Sequence, residues 1–250
     1  HESSVTALAP AGQTLLLSAG RDSQLTLWDL QSRRAILTRQ NMPDWARGLR
    51  VSTENEKIIY LRSGLSLLSL SSLDSIEWSS LKPVLRCADF LPDASQIFAG
   101  THSSQVLVYP LEKPRKNKQS FPSLRPEKVP LTTYPTGERV EGVESLKRYG
   151  VLLTAGSSGE IRFFSLATRQ LLGSVMAPGG QLTSIHISPD QAFMAIGSKL
   201  LSSSGSQLTF WDLRSLDLQS EQPFASMQVD VMALLKSMLE HDEFSERAQR

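Results

Sequence analysis

Residues 1–30, HESSVTALAPAGQTLLLSAGRDSQLTLWDL, contain the pattern on which the fold prediction rests. Val5–Leu8 and Gln13–Gly20 are two apolar runs separated by a turn, and the alternating run Leu25–Leu30 closes the segment. Short runs of this kind, with Gly, Pro, Asp and Ser between them, are typical of β-strands joined by tight turns. The segment therefore predicts three consecutive antiparallel strands.

The same layout recurs four more times along the chain. Each unit closes on a leucine, and the five closing residues are Leu30, Leu70, Leu111, Leu166 and Leu213. Successive closing leucines are 40, 41, 55 and 47 residues apart. Groups of short strands that recur every ~40–45 residues are typical of propeller blades. The sequence therefore predicts an all-β propeller whose five units span residues 1–38, 45–80, 84–111, 140–175 and 182–226.

Two units end in the same signature, which pairs Trp28 with Asp29 and Trp211 with Asp212 between apolar residues. Two units also have similar sequences in the turn between their first and second strands. These sequences are Leu91-Pro92-Asp93 in the third unit and Ser188-Pro189-Asp190 in the fifth. With these motifs in phase across five units, residues 1–226 resemble WD40 repeats. The resemblance implies four-stranded blades and a role in binding other proteins.

The resemblance also implies a hydrogen-bonded tetrad in the first unit, formed by His1, Ser18, Asp22 and Trp28. A buried imidazole needs a partner for each nitrogen, which a chain of Asp, His, Ser and Trp supplies. The same side chains could be interpreted as a catalytic triad, but the resemblance places them inside a blade rather than in a cleft. The Trp position of the three middle units holds Leu68, Tyr109 and Phe164. Those blades are expected to depend on apolar packing alone.

The number of units is smaller than the resemblance implies. WD40 propellers usually close about seven blades, which removes exposed sheet edges. The chain starts at His1 rather than at Met. We therefore expect about two further blades, with the outer strand of the ring-closing blade, from sequence upstream. An atypical ring of five or six units is the alternative.

Two segments stand apart from the repeats. Residues 112–135 hold six basic side chains, two glutamates and five of the thirteen prolines, a composition that predicts a solvated insertion loop. A flexible arm for an acidic partner or a phosphate backbone is the alternative. Residues 229–250 carry an apolar stripe with helical spacing after Asp230, which predicts a C-terminal amphipathic helix. Its stripe would pack on the propeller, bind a partner helix or begin a downstream domain.

The composition limits the classes of function. Lys+Arg 26 against Asp+Glu 25 gives a net charge of +1, so only a local patch could attract nucleic acid or anionic lipid. No apolar stretch is long enough to span a bilayer, and no secretory signal is visible at the N-terminus. A cytoplasmic location is the default expectation. The single cysteine, Cys87, is expected to be a small buried residue within a strand.

Sites of chemistry are not evident in the sequence. The four histidines are scattered and lack metal-ligand spacing, and the Gly-rich segment 177–180 lacks the Lys and the following helix of a phosphate loop. No Gly-x-Ser-x-Gly elbow stands in a strand–turn–helix context. We therefore expect no cofactor, no metal and no enzymatic activity.

The remaining candidate is a surface. In WD40 propellers the loops that enter the inner strands converge around the central channel, so the resemblance implies that one residue of each unit lies at the channel mouth. In the five units these residues are Thr6, Arg47, Arg86, Glu141 and Thr183. Together with Trp45, the two arginines would form an aromatic and basic patch for a protein partner. Scattered surface arginines without a role are the alternative.

The sequence thus favours a non-catalytic scaffold that binds partner proteins through a face of the propeller. A regulatory or sensing propeller attached to an upstream catalytic domain is the alternative. Nucleic acid is a poor candidate partner, since no array of aromatic residues is available to stack on bases. The partner's identity and the oligomeric state stay open.

Overall fold

The computed structural model describes residues 1–42, 44–62, 64–79, 83–111, 123–188, 190–200, 205–216 and 228–229. These residues form five β-sheets and two short 3-10 turns, Lys147–Tyr149 and Leu213–Ser215. The prediction of an all-β propeller is confirmed, with five blades in the described residues where about seven were expected for a complete ring. Of the predicted helix, only Val229 is described, in a short strand, and the rest lies outside the described residues.

The strands follow one another in chain order. Blade 1 consists of β1 (Val5–Pro10), β2 (Leu15–Gly20), β3 (Leu25–Asp29) and β4 (Arg34–Arg39). Blade 2 consists of β5 (Gly48–Ser52), β6 (Lys57–Leu61), β7 (Leu65–Ser69) and β8 (Ser75–Ser79). Blade 3 begins with β9 (Leu85–Phe90), β10 (Gln96–Thr101) and β11 (Gln105–Pro110). The inserted segment supplies β12 (Ser123–Leu124) and β13 (Thr132–Thr133).

The last two blades are built in the same way. Blade 4 consists of β14 (Val140–Leu146), β15 (Val151–Gly156), β16 (Glu160–Ser165) and β17 (Leu171–Met176). Blade 5 consists of β18 (Gly180–Ile187), β19 (Phe193–Leu200), β20 (Ser206–Asp212) and β21 (Gln228–Val229). Within each blade, consecutive strands pair antiparallel, and the first strand is the innermost.

One backbone hydrogen bond recurs in every blade and aligns the five units. The N–H of each closing leucine donates to the carbonyl of the residue that precedes the second strand. The five acceptor residues are Thr14, Glu56, Ser95, Gly150 and Ala192. Counting along the paired strands from this bond gives the equivalent positions of all five blades, and the closing leucines found by periodicity are themselves equivalent.

Apolar clusters lie between successive blades. Leu68, Tyr109 and Phe164, at the position of Trp28, are buried in the clusters that blades 2, 3 and 4 share with the preceding blade. Burying a side chain of this size stabilises the fold by roughly 1.5–3 kcal/mol. The blades without the tetrad therefore pack through apolar side chains, as expected.

The described half of the inserted segment is in part exposed, as a solvated loop would be, but it also contributes two short strands and two buried side chains. The β13 strand pairs with β11 as the outer strand of blade 3, and β12 pairs parallel with β8 at the edge of blade 2. Leu124 is buried between blades 2 and 3, and Tyr134 is buried between blades 3 and 4. These two buried apolar residues were not evident in the sequence, because they lie among prolines and charged residues. Blade 3 thus extends beyond the predicted end at residue 111, whereas residues 112–122 lie outside the described residues.

Candidate functional site

The four tetrad residues form one continuous hydrogen-bonded chain. Trp28 Nε1–H donates to Ser18 Oγ over 2.7 Å, and Ser18 Oγ lies 2.7 Å from Nε2 of His1. The Nδ1 atom of His1 lies 3.0 Å from both carboxylate oxygens of Asp22. With the His1 proton on Nδ1, Asp22 accepts from Nδ1–H, Nε2 accepts from the Ser18 hydroxyl, and Ser18 accepts from Trp28, so each of these polar groups has a hydrogen-bond partner. Ser18 is buried and already accepts the indole hydrogen bond, so the arrangement holds strands together rather than presenting a nucleophile.

The second Trp-Asp pair lacks such a chain. Trp211 is buried against blade 4, and Nε1 has no hydrogen-bond partner among the described residues. By the strand alignment, Ile196 occupies the position of Ser18, so no hydroxyl is available to the indole. Blade 5 therefore keeps the apolar part of the motif without its polar network.

The aspartates of the two pairs have a separate role at the following turn. Asp29 accepts from the backbone N–H of Gln31 over 2.9 Å and from the hydroxyl of Ser32 over 2.7 Å. Asp212 accepts in the same way from the N–H of Arg214 over 2.9 Å. These hydrogen bonds lower the pKa of both carboxyls, led by the Ser32 hydroxyl for Asp29 and by the Arg214 side chain for Asp212.

The five predicted rim residues are structurally equivalent. In four blades the inner strand shifts register by one residue near its start, and the extra residues are Thr6, Arg86, Glu141 and Thr183. Such a bulge re-aims one side chain away from the regular alternation. In blade 2 the N–H of Arg47 donates to the carbonyl of Leu61, directly before the Gly48–Leu61 pair. Arg47 therefore stands at the same place, and all five residues line the mouth of the central channel.

Trp45 lies at this rim between the side chains of two arginines. The guanidinium carbons of Arg21 and Arg47 each lie 5.3 Å from the centroid of the indole ring. Trp45 is 37% exposed, and both arginines are exposed. In the described part of the chain neither guanidinium forms an ion pair, so their donors stay open. We call this set the Arg–Trp–Arg cluster.

The predicted patch is divided into two parts, because Arg86 pairs with a carboxylate. Arg86 donates through Nε and Nη2 to Oε2 of Glu141, at 2.9 and 2.7 Å. Arg139 donates to the other oxygen, Oε1, over 2.9 Å. Glu141 is thus almost fully buried under two arginines and is unavailable to a partner. Arg86 and Arg139 are thus both paired with Glu141, and the carboxylates of Asp22 and Asp44 lie next to Arg21 and Trp45 in the chain.

The sequence analysis did not predict that Arg21 and Arg139 lie near the rim. Arg21 lies in the turn after β2, beside the tetrad residue Asp22. Since the tetrad was predicted from the sequence, the position of Asp22 could have indicated that this turn lies near the rim. Arg139 directly precedes β14, and only the structure shows that it reaches Glu141.

A second charged layer lies three residues further along the inner strands. Its members are Arg50, Asp89, Glu144 and His186 in blades 2 to 5. Arg50 Nη2 donates to Glu144 Oε1, which joins blade 2 to blade 4 across the channel. Asp89 accepts from the backbone N–H of Ser145 over 2.7 Å, which ties blade 3 to blade 4. The Arg50–Glu144 hydrogen bond thus spans the channel beneath the rim.

Burial controls the titration of this layer. It raises the pKa of Glu144 to about 7, against the opposing effect of Arg50. It also raises the pKa of Asp89, and it raises that of the nearby Cys87 thiol to about 12. The arrangement offers no candidate metal centre, since no group of three His, Cys, Asp or Glu with suitable geometry occurs among the described residues. The described part of the chain also contains no helix with the length and apolarity needed to cross a membrane.

Comparisons with known proteins agree with this architecture. The family model "WD domain, G-beta repeat" matches residues 1–29, which contain the tetrad and the first Trp-Asp pair. The crystal structure of the Cps50 (Swd1) β-propeller domain of Myceliophteria thermophila is similar, with a TM-score of 0.70 and 12% sequence identity. The alignment covers 93% of this chain and 75% of that domain. No curated protein matches the sequence. At this identity the structural similarity shows the fold alone.

Proposed function

We propose that this chain, a WD40-repeat β-propeller, is a non-catalytic scaffold that binds an acidic segment of a partner protein at the channel rim. WD40 propellers typically mediate protein–protein interactions. The finer assignment rests on a single observation, the exposed Arg–Trp–Arg cluster at the mouth of the channel.

The cluster combines the residue types that dominate binding energy at interfaces. Trp and Arg are over-represented among hot-spot residues, where truncation costs about 2 kcal/mol or more. Stacking on the indole restricts both guanidinium groups before a partner arrives, so less side-chain entropy is lost on binding. Their unpaired donors match the two oxygens of a carboxylate. The cluster therefore suits a Glu or Asp side chain next to an apolar contact with the ring.

The charge of the rim favours the same partner. The guanidinium groups of Arg21 and Arg47 form no ion pair among the described residues, whereas Arg86 and Arg139 share Glu141. The nearby carboxylates of Asp22 and Asp44 are held by His1 and by the backbone N–H of Trp45. A local excess of positive charge accelerates the encounter with an acidic segment and disfavours a basic one. The stacking of Arg21 and Arg47 on the Trp45 ring keeps these charges together at the rim.

The test measures binding of two synthetic peptides, one rich in Glu and one rich in Lys, to the wild-type chain and to two variants. Arg47→Glu reverses one charge in the cluster. Arg148→Glu is the matched control, because Arg148 is also exposed and stacked on a ring, that of Tyr149 at 5.7 Å, but it lies away from the rim. Circular dichroism verifies that both variants stay folded.

We expect the acidic peptide to bind the wild type and Arg148→Glu alike, and to lose roughly thirtyfold in affinity for Arg47→Glu. The affinity should also fall with added salt, since the contacts are exposed. Equal binding to both variants, or a preference for the Lys-rich peptide, would refute the assignment. Displacement of the peptide by a single-stranded oligonucleotide at lower concentration would indicate a nucleic-acid partner instead.

A further inference from the structure

The outer strand of blade 4, β17, is an open sheet edge, since no described strand pairs with it on the side away from β16. The N–H of Ala177 donates to the carbonyl of Gly159 over 2.8 Å, directly beyond the Glu160–Met176 pair. Opposite residues of an antiparallel pair alternate between hydrogen-bonded and non-hydrogen-bonded positions. The main-chain N–H and C=O groups of Met176 and Ser174 therefore point outward, away from β16.

The side chains of β17 do not protect this edge. Charged residues, prolines, bulges and covering segments are the usual protection against pairing between sheet edges. The strand has the sequence LLGSVM, without a charge or a proline, and Leu171, Leu172 and Met176 are 55%, 44% and 60% exposed. A bulge beside Leu172 interrupts the pairing with β16, but residues 173–176 keep a regular register. Most of the strand is thus free to pair.

The outer edges of blades 1 to 3 have the protection that β17 lacks. In blade 1, β4 begins at Arg34 and ends at Arg39. In blade 2, β12 covers the edge of β8, and in blade 3 the two residues of β13 lie between Pro130 and Pro135. The pairing of β12 with β8 also shows that an outer edge of this ring can accept a further strand.

The sequence of β17 is complementary to itself about Ser174. When two copies of the strand lie antiparallel with Ser174 opposite Ser174, the outward main-chain groups of each strand meet those of the other. In this register Leu172 lies opposite Met176, and Gly173 lies opposite Val175. Apolar side chains thus meet apolar side chains, and the small, exposed serine lies at the centre.

Charge does not oppose this pairing. The nearest charged residue before the strand is Arg169, which pairs with Glu127 of its own chain at 2.8 Å. In the register about Ser174, Arg169 lies opposite Gly179 rather than opposite another charge. The whole chain has a net charge of +1, so two copies repel each other only weakly.

We propose that β17 is a dimerisation edge, at which two copies of this chain pair antiparallel about a two-fold axis at Ser174. The two fourth blades, of four strands each, then form one continuous sheet. A second copy fits this edge better than an unrelated extended segment, because the strand itself supplies both members of each apolar pair. This edge is independent of the rim and its proposed function.

The size of the contact determines the kind of dimer. Stable interfaces bury about 1,200–2,000 Å² in total, and one pair of six-residue strands covers less than that. We therefore expect a reversible dimer, whose population rises with protein concentration, rather than a permanent one.

The experiment measures the dimerisation constant by sedimentation velocity over a concentration series of the 250-residue chain. Ser174→Lys and Ser174→Glu each place like charges opposite each other across the axis, whereas an equal mixture of the two variants places opposite charges there. Ile36→Lys is the matched control, because Ile36 is 57% exposed on β4, the outer strand of blade 1. Circular dichroism verifies that every variant stays folded.

We expect the wild type and Ile36→Lys to dimerise alike. Each Ser174 variant alone should dimerise at least about tenfold more weakly, and the mixture should recover the wild-type constant, because directly opposite charges across a strand pair repel or attract by their sign. Concentrating the wild type should also slow amide hydrogen exchange at Ser174 and Met176, whose N–H groups become paired.

Three results would overturn the proposal. A wild type that stays monomeric at every concentration would show that this edge does not pair with itself. A dimer that tolerates both Ser174 variants, or that is lost in Ile36→Lys, would place the contact elsewhere on the chain. Weakening in both Ser174 variants without recovery in their mixture would exclude a two-fold axis at this residue.

Discussion

The hydrogen bond between Arg50 and Glu144 should stabilise the ring in a pH-dependent way. It joins blades 2 and 4 across the channel, and Asp89 lies in the same layer with its own pKa influenced by Arg50. Replacing Arg50 by Met keeps the unbranched apolar stem of the side chain and removes the guanidinium group with its charge. Two buried carboxyls then lack their cation.

The magnitude follows from the cost of an uncompensated buried charge. Removing one partner of a buried ion pair destabilises a protein by about 3–5 kcal/mol. At pH 8 the variant must either bury the unpaired carboxylates or bind protons against the solution pH. At pH 5 protonated carboxyls need no cation, so we expect less than half of this loss there.

The wild type should show the same sign of pH dependence. Burial raises the folded-state pKa of Glu144 to about 7, above the ordinary value of 4.5 for a glutamate. A carboxyl whose pKa is raised on folding contributes stability that is complete below the unfolded value and is lost as the pH rises through the folded value. The free energy of unfolding should therefore fall between about pH 5 and pH 8, and Glu144→Gln should flatten this decline.

Urea denaturation of the wild type, Arg50→Met, Glu144→Gln and the double variant at both pH values gives the four free energies of a double-mutant cycle. The double variant should recover part of the loss of Arg50→Met at pH 8, because the carboxylate that lost its partner is gone. A loss for Arg50→Met that is equal at pH 5 and pH 8, or absent at both, would refute the buried-pair reasoning.

Three further outcomes can be measured on the same chain. Gly142→Ala should lower the free energy of unfolding by roughly 1–3 kcal/mol in urea denaturation, because the new methyl group would overlap Ile185 of blade 5; a neutral effect would place blades 4 and 5 further apart. Tyr134→Phe removes the 2.9 Å hydrogen bond to the buried Thr154 hydroxyl, and a thermal-denaturation loss of about 1–3 kcal/mol would show that this segment anchors blade 4. Cys87 should react with a disulfide reagent at pH 8 far more slowly in the folded chain than in urea, since burial raises the pKa of the thiol to about 12; equal rates would contradict its packing.

The periodic part of the fold was predictable, because strand period and turn residues are local properties. The closing leucines marked the end of the third strand in each blade. The same alignment placed Arg47 and Arg86 at equivalent rim positions. The predicted alignment also holds in blade 2, which lacks the Trp-Asp pair. There the pairing of Gly48 with Leu61 places Arg47 beside the channel.

The contacts between blades were not predictable. Arg50 and Glu144 are 94 residues apart in sequence, and a repeat pattern specifies the interior of a blade rather than which charges meet across the ring. The outer strand of blade 3 escaped notice for another reason. Thr132–Thr133 is only two residues long and lies among prolines, so it carries no detectable alternation.

The inserted segment also determines how the molecule would come apart. It touches three blades, through Leu124 between blades 2 and 3, Tyr134 against blade 4, and the ion pair from Glu127 to Arg169 of blade 4 at 2.8 Å. We therefore expect blades 2, 3 and 4 to unfold as one cooperative unit, because blades 1 and 5 each share a buried apolar cluster with a single described neighbour. We expect slow fluctuations of the ring to begin at blades 1 and 5 and to leave blades 2 to 4 folded. The terminal blades would then refold against this intact centre.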